Sequence, residues 1–106
     1  MEGTTINIKD KVFYSALQNC VTSMVTGNAA NNPSYQVQLA AANNAGAVMQ
    51  LALGTAGKDT SGAAISSDWM PTTIKSLIKG TDITANSWGD SADPANVANP
   101  DNLKFR

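Results

Sequence analysis

The chain has 106 residues, a formal net charge of −1, a single cysteine and no histidine. That length fits one domain. The near-neutral charge excludes an electrostatic footprint for nucleic acid, the lone Cys20 excludes an internal disulfide framework, and the missing histidine removes the commonest general base and metal ligand. Apolar residues make up 42%, yet there are only two Phe, two Trp and two Tyr. A core made largely of Ala buries little per residue, and oligomerisation is one remedy for so small a core.

Charge is distributed unevenly. From Val12 to Gly57 there is no Asp, Glu, Lys or Arg, so every charged residue lies in a flank. Charged residues usually make up about a quarter of a chain, and an ordinary surface helix carries them on its solvent side. Asn, Gln, Ser and Thr supply polarity in this block instead. The pattern predicts that both faces of the segment meet protein.

Residues 1–10 read as an N-terminal arm, with weak alternation from Thr4 to Ile8. Val12, Phe13, Ala16, Leu17, Cys20, Val21, Met24 and Val25 then recur as adjacent pairs every four residues. This spacing predicts a helix over residues 11–26, stopped by Gly27. The Asn-rich run 27–34 makes a turn at Pro33. A second helix is predicted over residues 34–53, because Ala and Leu are strong helix formers. The two helices form an antiparallel hairpin, the core of 11–57. Residues 58–70 read as a joint. Pro71, the spacing of Ile74, Leu77 and Ile78, and Gly80 predict a short third helix over residues 71–79. Residues 81–106 lose periodicity and read as an irregular arm anchored by Trp88 and Phe105. The fold class expected is all-α: a helical hairpin, a short third helix and an extended C-terminal arm.

The second helix has a narrow waist, Ala40 to Ala47, with neither a large side chain nor a charge. Such a waist lets another backbone come close. Ala40, Ala41, Asn43, Asn44, Gly46, Val48, Met49 and Leu53 are therefore the predicted self-assembly interface. Asn43 and Asn44 are candidates to fix register through a specific hydrogen-bond partner, and a mid-helix Gly46 is tolerable where close packing offsets its cost of roughly 0.5–1 kcal/mol.

No chemistry-bearing constellation is visible. Cys20 lies within an apolar stripe and reads as a small hydrophobe. The acids have neither the spacing nor the closing Glu of a calcium loop. No Gly-Lys-Ser/Thr follows the glycines at 54, 57 and 62, so there is no phosphate loop. The expectation is a protein that is not an enzyme, with no cofactor, no metal, no small-molecule substrate and no nucleic acid. MEGTTINIKDK lacks the basic start and apolar run of a signal peptide, and no run of about 18 apolar residues exists. The default expectation is a cytoplasmic protein whose partners are copies of itself, possibly with related short subunits.

Tyr14, Asn28-Ala29, Ala41-Ala42-Asn43-Asn44-Ala45-Gly46, Val48-Met49 and Thr55-Ala56 follow one another in an order and spacing that resembles the R-body, or killing-trait, family of small bacterial proteins. The likeness spans residues 12–57. Ala29 to Pro33 replaces that family's Gln-rich turn, and residues 68–106 have no counterpart. The resemblance implies a subunit of a ribbon coiled as a cytoplasmic inclusion, which in many members extends when the pH falls. Without histidine, an acid trigger would fall to carboxylates with raised pKa values, and Asp59 and Asp68, beside the joint, are the acid-sensing candidates. The alternative expectation is a phage virion component, a minor capsid, tail or decoration protein.

Overall fold

The computed structural model describes residues 3–33, 37–55, 57–59 and 61–104. Four strands form one antiparallel sheet in sequence order: β1 (Thr4–Asn7), β2 (Val12–Leu17), β3 (Ala47–Gly54) and β4 (Met70–Lys79). Among the described residues the helical content is a single 3-10 turn, Thr22–Met24. The all-α expectation and its helical hairpin are therefore overturned. Where helices were expected over 11–26, 34–53 and 71–79, the chain places β2, β3 and β4, with long irregular segments between them. Residues 34–36, where the second helix was to begin, lie outside the described residues.

The physical reasons are local. In β2, Val12, Phe13 and Tyr14 are β-branched or aromatic and favour a pleated, half-buried surface. In β3 the Ala and Leu that suggested a helix also alternate. Register with both neighbours puts Ala47, Met49, Leu51 and Leu53 on one face and Val48, Gln50 and Ala52 on the other. Just before β3, Gly46 has φ +77°, which no right-handed helix through the waist would allow. Cross-strand pairing on both sides of β3 outweighs the modest helix preference of Ala and Leu.

β4 misled for a different reason. Its ladder with β3 is interrupted twice, between Val48 and Met49 and between Ala52 and Leu53, leaving Leu77 and Thr72 as the extra residues. Each bulge moves the residues beyond it to the other face. Ile74 pairs with Leu51, whereas Ile78 pairs with Val48, so the two isoleucines stand on opposite faces. The bulges scramble the two-residue alternation and leave a helix-like spacing at 74, 77 and 78.

One sheet face carries the core. Leu17, Cys20, Ala47 and Met49 are buried together, with Met24, Leu39 and Leu51 packed against them. The segment between β2 and β3 folds back over this face. It is held by isolated bridges from Cys20 to Asn43 and from Val25 to Leu39, and by hydrogen bonds such as Cys20 N–H to the Asn43 carbonyl at 2.8 Å. The opposite face is crossed by the C-terminal segment, where Gly3 N–H donates to the Asp101 carbonyl and Leu103 borders a shallow pocket together with Tyr14, Val48 and Ile78. The Lys11 ammonium ties the strand ends together, 2.6 Å from an Asp68 carboxylate oxygen and 4.8 Å above the Trp69 ring.

The result is a thin slab, 53 × 39 × 16 Å, with a radius of gyration of 15.6 Å. A compact 100-residue domain has a radius nearer about 13 Å.

Candidate assembly surfaces

The predicted interface residues do not share one surface. Val48 and Met49 are both buried, on opposite faces of β3. Leu53 is half-buried at the far end of β3, opposite Pro71. Ala40, Ala41 and Asn44 are exposed, and Asn43 is half-buried.

Close approach at the waist does occur, but within the chain. A Cβ added to Gly46 would overlap the backbone carbonyls of Leu17 and Gln18. Asn43 does find specific partners. Its amide donates to the Gly80 carbonyl at 2.8 Å, and its side-chain oxygen accepts from Ala45 N–H at 3.0 Å. The Asp82 carboxylate clamps the next two residues, accepting from the backbone N–H of Asn44 at 2.9 Å and of Ala45 at 2.8 Å. Asn99 closes the knot from the C-terminal side, donating to the carbonyls of Gln18 and Asn44, each at 2.9 Å. The waist is thus a polar junction that locks the β2–β3 connection to both the end of β4 and the arm.

Beside this junction lies a cleft of about 400 Å³. Ala40, Ala41 and Asn43 are on its wall, with Cys20 and Leu39 from the core segment and Lys79 and Asp82 from the end of β4. Burial pushes the Cys20 thiol above its ordinary pKa, and the nearby Asp82 charge adds to that. The thiol is held neutral and behaves as wall material. Sequence reasoning found the Ala and Asn half of this cleft. It missed the half supplied by Lys79 and Asp82, because only the β3–β4 register brings them beside the waist.

The arm anchors behave differently from expectation. Trp88 is 88% exposed and docks on nothing among the described residues, whereas Phe105 lies outside them. Asn99, Asp101 and Leu103 are what attach the arm. Asp59 and Asp68 are both exposed, and both carboxyls sit below the ordinary carboxylate range. For Asp59 the Ser61 hydroxyl is the main cause, followed by backbone N–H groups of its loop. For Asp68 it is the hydrogen bond and charge of Lys11. Within one chain neither has the raised pKa that an acid trigger at mildly low pH requires.

β4 is the open side of the molecule. It forms one edge of the sheet. Every residue from Pro71 to Lys79 is exposed, including Ile74 at 39%, Leu77 at 49% and Ile78 at 53%. Among the described residues there is no group of three or more His, Cys, Asp and Glu that could hold a metal ion, and no helix is long and apolar enough to cross a membrane. Comparison with protein-family models, curated proteins and solved structures found no match.

Proposed function

We propose that the chain is a self-assembling structural subunit whose core is completed by neighbouring copies. The observation that carries this reading is β4: a ten-residue strand whose apolar side chains stand bare on both faces. A stable sheet buries its apolar face against a second layer. Among the described residues the covering segments lie over β2 and β3, where Leu17, Met49, Ala16 and Val48 are buried, and they leave β4 exposed from Pro71 onward. Large aliphatic side chains left open on both faces of a paired strand are surface that a neighbouring copy can cover.

The edge itself is guarded. Pro71, Lys75, Lys79 and the two bulges are devices that discourage indiscriminate strand addition. The faces of the slab, rather than its edge, are therefore the assembly surfaces. In this reading the charge-free block from Val12 to Gly57 sits at the centre of the assembly, and the charged flanks face outward.

The R-body-like ribbon and the phage virion component are two forms that such an assembly can take. Sedimentation of the full chain from micromolar to millimolar concentration, with electron microscopy of the heaviest fraction, tests the reading. Ribbons or closed shells are expected, and their shape separates the two forms. A stable monomer throughout would overturn the proposal.

A further inference from the structure

We propose that copies join head to tail, with Trp88 of one chain inserted into the cleft between the waist and the end of β4 of the next. The inference rests on the assembly reading above and names its contact.

Trp88 is presented rather than left over. Residues 82–92 form a narrow loop laced like a hairpin: Asp82 bridges Ala92, Ile83 N–H donates to the Ser91 carbonyl, and Asn86 N–H donates to the Asp90 carbonyl. At its tip Asn86 holds the turn from within. Its side-chain oxygen accepts from the N–H of Trp88 at 2.9 Å and of Asp90 at 3.0 Å, and its amide donates to the Asp90 carboxylate at 3.1 Å. The backbone that presents this large apolar ring, 88% exposed, is already ordered, so binding costs the ring's own rotamer freedom and little of the loop's. Trp is also the residue type most enriched where binding energy concentrates.

The cleft has the matching shape and chemistry. About 150 Å³ of apolar cavity suffices for benzene, and this cleft offers about 400 Å³. Leu39, Ala40 and Ala41 give an apolar wall without bulk. Lys79 stands at the mouth with no ion pair among the described residues, placed to lie over an indole face as a cation–π partner. Asp82 offers a carboxylate oxygen to the indole N–H.

A chain does not fill its own cleft. Asp82 lies on the cleft wall and Trp88 at the far tip of the loop, beyond the paired arm that Ile83 and Ser91 form, and the ring is exposed as the loop stands. The knob and the hole are different surfaces of the same chain. The contact is therefore heterologous, and repeating it yields a filament or a ring.

The test uses the full chain and two variants at exposed positions, Trp88→Ala and Ala41→Phe, with circular dichroism confirming that each keeps the wild-type fold. The first removes the knob and the second fills the hole. Each alone should associate at least about 30-fold more weakly than wild type and sediment as a monomer where wild type assembles. Mixed in equal amounts they should associate more tightly than either variant alone, since one intact knob and one intact cleft meet in each mixed pair; a mixture no tighter than the variants alone would overturn the contact. If wild type assembles and both variants assemble equally well, this contact is wrong while the assembly reading stands. A wild-type chain that remains monomeric overturns both.

Discussion

β3 and β4 are hydrogen-bonded neighbours that both carry large aliphatic side chains, yet their fates differ. The first three residues of β3 are buried and its remainder is half-buried, whereas β4 is exposed from Pro71 onward. The difference comes from what lies over them. The segment between β2 and β3 folds across the Leu17–Met49 end of the sheet, and no described segment covers the Ile74 side of β4 in the same way. A strand's own pattern shows that it will pair, but the chain between strands decides which pair becomes core.

The junction that holds this covering segment is the most sensitive point of that contrast. Gly46→Leu is expected to destabilise the monomer by at least about 3 kcal/mol. Two effects add, the left-handed backbone at φ +77° and the overlap with the Leu17 and Gln18 carbonyls. Loss of the cooperative urea transition would register it, and a wild-type midpoint would show that the waist is not held as described.

A paired truncation sharpens the comparison directly. Met49→Ala in the covered half should lower stability by about 2–5 kcal/mol. Ile78→Ala on the bare strand should change the monomer's stability by no more than about 0.5 kcal/mol while weakening assembly. Equal losses in urea titrations at dilute, monomeric concentration would erase the distinction between the two strands.

The smallest effect expected is that of pH. Asp59 and Asp68 have folded pKa values lowered from the ordinary 3.8. Their contribution to stability is therefore full above that value and is lost as pH falls below it. The double variant Asp59→Asn, Asp68→Asn should lose less stability between pH 5 and pH 3 than wild type does, as read from urea midpoints. Identical acid limbs would mean that Ser61 and Lys11 do not hold these carboxyls in solution.

Parts of this organisation are legible in the residues. The weak alternation near Thr4–Ile8 coincides with β1, Gly27 lies in a turn closed by Asn28 N–H on the Val25 carbonyl, Gly80 directly follows β4 although no helix ends at either glycine, and the small-residue waist is a point of close backbone approach. The secondary-structure type is not legible, for reasons that can be named. Val12 through Leu17 fits both a four-residue and a two-residue period over so short a span. In β4 the bulges at Thr72 and Leu77 erase the alternation. The roles of Asn43 and Asp82 depend on pairing between segments far apart in sequence, which no local window reports. Trp88 reads as an anchor in the sequence, whereas the structure leaves its ring 88% exposed.

The fold-back of residues 18–46 also has a kinetic side. β1 and β2 are joined by a tight turn, and a hairpin of that kind forms in roughly 1–10 μs. Pairing β2 with β3 must first close the long, uncharged connection between them, and the entropy of that closure precedes the contacts that reward it. A newly made chain therefore spends its longest wait with a charge-free connection unpaired and Leu17 and Met49 uncovered, before Gly46 and Asp82 can lock it. If copies assemble as proposed, crowding of nascent chains at that moment favours contact between them, and the same loop would couple the order of folding to the order of assembly.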